Sequence, residues 1–114
     1  MLSRLIGISK AKRMIYLAER INSETAMEWG LADYKVDSYE DLFTKSEEIC
    51  LNLKSKGSLA LKAAKKAINQ GIEQDIPTAL EIEKQCYRQV LKSEDRLIAL
   101  NAFVNKEKPV FKGK

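Results

Sequence analysis

Carboxylates are the side chains of this chain that could do acid–base chemistry, because its 114 residues include no histidine. The lack of histidine excludes Ser–His and Cys–His nucleophile pairs and the His-Glu-x-x-His zinc motif. Catalysis by two carboxylates needs both in one water-poor cleft that pushes their pKa values apart. No glycine-rich apolar loop flanks the glutamates, which fall on predicted polar helix faces or in first turns: Glu19, Glu24, Glu28, Glu47, Glu48, Glu73, Glu81, Glu83 and Glu94. We therefore expect surface and capping carboxylates and no catalytic pair.

The two cysteines, Cys50 and Cys86, form neither a Cys-x-x-Cys motif nor a disulfide framework, which predicts a reducing compartment. Cys86 lies in an apolar stretch and is expected to be an inert core thiol. The spacing of Asp, Glu and Cys offers no metal site. Gly57, Gly71 and Gly113 are isolated, so there is no glycine-rich phosphate loop.

The basic charge is mild, with 20 Lys+Arg against 16 Asp+Glu, a net charge of +4. Lysines cluster at positions 62, 65 and 66 and again in the last nine residues. Such clusters could meet phosphates as point charges or could simply form a solvated helix face and a solvated tail. Because the tyrosines are scattered rather than interleaved with the basic residues, nucleic-acid binding is the least favoured role.

Hydrophobic periodicity predicts an all-α chain of about six short helices, which we expect to form a single helical domain over residues 1–114. Ser9, Ser23, Ser38, Ser58 and Ser93 are the predicted helix N-caps. The predicted helices are Lys10–Arg20, Glu24–Trp29, a third from Ser38 toward Lys54, Leu59–Gln70, a fifth from Pro77 to about Val90, and Glu94–Val104. Leu31–Val36 is the only candidate for extended chain, and Lys106–Lys114 reads as a non-helical tail.

The apolar residues are numerous for such short helices, with 45% hydrophobic residues in the chain. The fifth helix has an apolar stripe over more than half its circumference, and the sixth would turn Leu97, Ala99, Leu100, Phe103 and Val104 inward. Helices of this kind are expected to need a partner surface to complete their core. No run approaches 18 apolar residues and no signal-peptide core follows Met1, so we expect a soluble intracellular protein without membrane contact.

Several segments together resemble the C-terminal portion of the enoyl-CoA hydratase/isomerase (crotonase) family. The tail and the Ala-x-x-Trp-Gly-Leu segment carry most of the resemblance. Within the family, the chain is most similar to the hydratase branch that includes methylglutaconyl-CoA hydratases. The matching strings, in the family's order, are Arg4-Leu5-Ile6-Gly7, Ala11-Lys12, Ile21-Asn22-Ser23-Glu24-Thr25-Ala26, Trp29-Gly30-Leu31, Leu59-Ala60, Ala64-Lys65-Lys66-Ala67-Ile68-Asn69, Leu80-Glu81-Ile82-Glu83, Glu94-Asp95-Arg96, Ala102-Phe103, Lys106 and Pro109-Val110-Phe111-Lys112-Gly113.

The resemblance implies the helical C-terminal segment of a crotonase-like fold, without the β/α spiral core. Family members of this kind, lyases and isomerases of fatty acid metabolism, hold an acyl-CoA thioester carbonyl between two backbone N–H groups, and hydratases add water with two glutamates. In the family, those groups lie N-terminal to the segment that matches this chain, and the match begins at Arg4. We therefore expect a fragment that lacks the catalytic glutamates and the oxyanion hole and has no hydratase activity alone. No covalently bound cofactor is expected, and a CoA thioester is the family's substrate.

In similar enzymes this segment builds the oligomer interface, packs on the spiral core and closes over CoA. In those enzymes an aromatic side chain and a lysine of this segment lie near the CoA nucleotide. By motif position, the corresponding residues of this chain are Phe103 and Lys106, with Tyr87 as a further candidate. An aromatic face can pack on adenine, and an ammonium can pair with a phosphate. Phe103 and Tyr87 could instead be core residues, and Lys106 plain surface. The chain departs from many relatives at Asn105-Lys106-Glu107-Lys108, where they are more basic.

The leading hypothesis is thus that the chain is the C-terminal helical segment of an acyl-CoA enzyme, with roles in oligomerisation and CoA contact. Its partners would be acyl-CoA and either further copies of the chain or the missing spiral-core half. The alternative is a non-catalytic helical interaction module that self-associates through its apolar faces. A cytoplasmic and a mitochondrial location are both compatible with the sequence.

Overall fold

The computed structural model describes all 114 residues and contains seven helices and no strand. The helices are α1 (Leu2–Ile6), α2 (Ile8–Tyr16), α3 (Ser23–Glu28), α4 (Tyr39–Lys54), α5 (Ser58–Gly71), α6 (Ile76–Leu91) and α7 (Glu94–Asn105). The all-α prediction is confirmed, and the Leu31–Val36 stretch is irregular rather than a strand. The tail after Lys106 is non-helical, as expected.

The first predicted helix, Lys10–Arg20, was wrong at both ends, and α1 was not predicted. Gly7 has φ +85°, a left-handed value that glycine adopts without steric cost, and it separates α1 from α2. The second helix ends at Tyr16, well before Arg20, because Ala18 also takes a left-handed φ of +49°. Ser9 therefore lies inside α2 rather than at its N-cap.

Helix caps were predicted correctly where a serine accepts a backbone N–H three residues later. The Ser38 and Ser93 hydroxyls accept from the amides of Asp41 and Arg96, at 3.0 and 3.2 Å. Two predicted caps were wrong by one residue, because Asn22 caps α3 in place of Ser23 and Gly57 precedes α5 in place of Ser58. The α6 N-cap is Asp75, whose side chain accepts from the Thr78 amide at 3.0 Å.

The chain divides into two compact units, Met1–Ser46 and Glu47–Lys114. The core of the first consists of Ile6, Ala11 and Trp29, with Leu2, Met14, Ile21 and Leu31 packed on it. The Lys10 ammonium and the Arg13 guanidinium each lie 5.3 Å from the centroid of the Trp29 ring. These cation–π contacts stabilise the only tryptophan in a buried position.

The second unit is built on the pairing of α5 with α6, to which α7 adds a smaller contact. Small side chains let α5 and α6 approach, because a Cβ placed on Gly71 would lie 3.5 Å from that of Ala79. Ala63 and Cys86 are buried between these helices, which confirms the core position of the Cys86 thiol. Cys50, in contrast, is exposed.

The predicted inward face of the last helix was largely wrong. Phe103 is 85% exposed, and Leu97, Leu100 and Val104 are also exposed, whereas Ala102 and the charged Asp95 are buried. The apolar pattern of α7 therefore marks a surface and not the core of this unit. None of the seven helices has the length and apolarity that crossing a membrane requires.

Candidate functional site

Lys106 follows α7 directly and has a left-handed backbone, with φ 57° and ψ 34°. Its amide donates to the Phe103 carbonyl at 3.3 Å, and the Glu107 amide donates to the Ala102 carbonyl at 2.8 Å. These two bonds form a Schellman cap, in which glycine usually occupies the left-handed position. The side chain of Lys106 is exposed. A lysine is thus held in a backbone conformation that costs an L-residue roughly 1 kcal/mol.

Phe103 occupies the last turn of α7 and is one of the most exposed apolar side chains in the chain. Its exposure excludes the alternative that it is a core residue of this helix. A free aromatic ring and a free ammonium therefore lie within one turn and its cap. These groups can contact a nucleotide by stacking and by charge.

Tyr87 lines an apolar groove of about 620 Å³ between α5 and α6. Its lining consists mostly of alanine, glycine and larger apolar residues, of which Ile68, Ile72 and Leu80 are exposed, and Glu83 is its only charged lining residue. Tyr87 is 60% exposed, so it is not a core residue either. Phe103 and Lys106 do not line this groove. Phe103 and Lys106 thus lie three residues apart at the end of α7, whereas Tyr87 lines a groove to which neither of them contributes.

Two exposed carboxylates, Glu24 and Asp75, hold other groups of the chain by hydrogen bonds. A hydrogen bond from Lys35 lowers the pKa of the exposed Glu24 carboxyl, and the same bond raises the pKa of Lys35. Hydrogen bonds from the backbone and hydroxyl of Thr78 lower the pKa of the α6 cap Asp75. No group of three or more His, Cys, Asp or Glu side chains is placed to hold a metal ion.

Asp95 is the one buried carboxylate, and sequence reasoning missed its role. It is 5% exposed, and its oxygens accept from the backbone amides of Lys112 and Gly113. The sequence signal that could have indicated this role is an acidic residue, Asp95, two positions after the serine cap Ser93, together with a glycine, Gly113, in the downstream tail. The tail also borders a groove of about 410 Å³ that contains Lys54, Lys56 and Lys112.

Comparison with known proteins matches the whole chain, residues 1–114, to the family described as enoyl-CoA hydratase/isomerase. The mitochondrial methylglutaconyl-CoA hydratase of Mus musculus is 36% identical over 115 residues, which cover 98% of this chain and 37% of that protein. The short-chain-enoyl-CoA hydratase of Clostridium acetobutylicum is 36% identical over 107 residues, covering 94% of this chain and 41% of that protein.

Among solved structures, the enoyl-CoA hydratase from Bacillus anthracis superposes with a TM-score of 0.94 at 42% identity. The match covers 99% of this chain and 43% of that one. The seven helices thus match the C-terminal helical part of the crotonase fold. The chain spans about two fifths of the length of the relatives it matches.

Proposed function

Because this chain belongs to the enoyl-CoA hydratase/isomerase family, we propose that it serves oligomerisation and CoA contact in an acyl-CoA enzyme, without supplying the catalytic glutamates or the oxyanion hole. Assembly would pair its apolar faces with further copies of the chain or with a spiral-core partner. CoA contact would use Phe103 and Lys106, with Tyr87 as an additional contact.

The observation that carries the assembly role is the excess of exposed surface. The chain exposes 9524 Å², whereas a compact monomer of 12.9 kDa would expose about 6,300 Å² and two separate compact halves together about 7,600 Å². The excess of at least ~1,900 Å² exceeds the ~800 Å² that each partner contributes to a standard stable interface. Large apolar side chains supply much of this surface, and no large side chain is fully buried.

The CoA-contact role depends on the last turn of α7. Phe103 and Lys106 are both exposed there, and two backbone hydrogen bonds fix the turn that joins them. Adenine offers a flat apolar face to a phenyl ring, and the phosphates of CoA offer negative charge to an ammonium. The two side chains therefore match the two chemical features of a nucleotide.

The absence of catalysis is supported by the placement of the carboxylates. Hydration needs paired acid–base groups in a water-poor cleft, and the single buried carboxylate, Asp95, is occupied by backbone amides. We expect no hydration of crotonyl-CoA by the 114-residue chain above the rate in buffer. Clear turnover that copurifies with the chain would overturn this part of the proposal.

Gel filtration with light scattering tests the assembly role. We expect a species of two or more chains at micromolar concentration. A uniform monomer of 12.9 kDa at every concentration would contradict self-assembly and leave the spiral-core partner as the remaining occupant of the apolar faces.

The second candidate, a self-associating interaction module with no CoA contact, is favoured by the apolar α5–α6 groove, whose lining includes only one charged residue. An oligomer is compatible with both candidates, so its observation does not separate them. Calorimetric titration with CoA does, because a generic helical assembly offers no paired aromatic and ammonium for the nucleotide.

A further inference from the structure

The C-terminal tail is bound by the buried carboxylate of Asp95. The Asp95 Oδ1 atom accepts from the Lys112 amide at 2.7 Å, and the Gly113 amide lies 3.1 Å from Oδ1 and 3.0 Å from Oδ2. The Asp95 amide in turn donates to the Lys114 carbonyl at 3.1 Å. A buried carboxylate is costly unless it is fully hydrogen-bonded, so the tail is the structural partner that this charge requires.

A second contact holds the same tail against the start of α5. The Phe111 ring covers Gly57, where an added Cβ would lie 3.4 Å from the ring. Gly113 has φ +75°, and a Cβ there would lie 3.0 Å from the Ser58 hydroxyl. The tail is therefore seated on two helix starts, those of α5 and α7.

The other end of the tail is the left-handed turn at Lys106. Residues 107–111 join that turn to the Asp95 contact, and Pro109 within them has a fixed φ. A strained left-handed residue persists when the surrounding structure restrains it on more than one side. The Schellman cap restrains Lys106 from the helix, and the seated tail restrains it from the following segment.

We propose that Asp95 is a positioning residue for Lys106. By hydrogen-bonding to residues 112–114 it restrains the 106–111 segment, and so fixes the left-handed turn at Lys106, three residues after Phe103. The inference rests on the proposed function only in naming CoA as the ligand of Lys106. The coupling between the Asp95 contact and the Lys106 turn is a property of the chain without ligand.

The test is residue-resolved amide hydrogen exchange on the full chain without CoA. Asp95→Asn removes the charge and one good acceptor, and it should accelerate exchange at Lys112 and Gly113 at least about tenfold, because a charge-assisted hydrogen bond is lost. It should also accelerate exchange at Lys106 and Glu107, by about threefold or more. Glu81→Gln is the matched control, since it removes one exposed carboxylate charge whose ion-pair partner is Lys84 on α6, at 3.7 Å, and not a residue of the tail.

Phe111→Ala provides a second variant that leaves α7 and Asp95 intact and loosens the tail at its other contact. It should reproduce the faster exchange at Lys106 and Glu107, with unchanged exchange within α5. Faster exchange confined to Lys112 and Gly113, or none in either variant, would overturn the positioning role. Calorimetry with CoA is run separately, so a wild-type chain that shows the coupling but no CoA heat contradicts the proposed function alone.

Discussion

At the scale of single residues, a positive φ shows where a side chain destabilises the backbone. Lys106 and Gly113 both have positive φ values, but only the lysine pays a steric cost for this conformation. Glycine would be more stable at position 106, and the proposed contact of the Lys106 ammonium with CoA would account for a lysine there. At Gly113, by contrast, the Cβ atom of any other residue would lie 3.0 Å from the Ser58 hydroxyl.

Replacing Lys106 should separate stability from binding. Lys106→Gly relieves the left-handed strain and should raise the free energy of unfolding by about 1 kcal/mol, while it weakens CoA binding at least about tenfold. Lys106→Ala should weaken binding equally without the gain in stability. Thermal unfolding and CoA calorimetry measure the two effects, and Lys108→Ala is the control. Unchanged CoA affinity in both Lys106 variants would show that this lysine is plain surface.

Gly113→Ala should destabilise the chain by about 1–2 kcal/mol, because the added methyl group meets both an unfavourable φ and the Ser58 hydroxyl. Gly71→Ala is the matched control: its added Cβ makes an ordinary 3.5 Å contact with Ala79 inside a helix, so it should be neutral or stabilising. Chemical denaturation of both variants gives the comparison. Equal stability of the two would refute the seating of the tail on α5.

At the scale of elements, the sequence predicted where most helices lie but not which faces they bury. Five of the seven helices follow from apolar periodicity and turn residues, and the Ser38 and Ser93 caps follow from side-chain chemistry. Helix α1 was not predicted, and α2 begins at Ile8, two residues before the predicted start at Lys10. Phe103 was placed inward because amphipathicity cannot distinguish a face that packs within the chain from one left for a partner.

The cap of α6 should make stability depend on pH in the acid range. The pKa of Asp75 is lower in the folded chain than its ordinary value of 3.8, so its charged form stabilises the fold above that value. This contribution is lost as pH falls below about 4 and through the folded pKa. Asp75→Asn keeps a capping oxygen without a titratable group, so its melting temperature should fall less between pH 5 and pH 3. Parallel pH profiles of the two proteins would contradict this role.

At the scale of the whole molecule, the exposed apolar surface and the partial match to the family both support the proposal that the chain assembles with a partner. The chain matches about two fifths of the length of its relatives and exposes more surface than compact units of its mass. The family could be predicted from the ordered strings of the sequence, whereas the extent of the exposed faces required coordinates. A chain of this composition that stood alone would be expected to cover more of its apolar side chains.

The apolar α5–α6 groove should contribute to assembly. Leu80→Asp places a charge on its exposed apolar rim, and we expect it to shift the oligomer toward smaller species by at least about tenfold in dissociation constant. Lys84→Asp, on the same helix but outside the groove lining, is the control. Sedimentation velocity reports both. An identical oligomer distribution in the two variants would remove the groove from the interface.

Calorimetric titration of the assembled 114-residue chain with CoA tests the central claim most directly. We expect a saturable heat of binding for the wild type that Lys106→Ala diminishes and Lys108→Ala leaves intact. A sample that circular dichroism shows to be helical and light scattering shows to be assembled, but that gives no binding heat, would exclude the CoA-contact role and favour the interaction module.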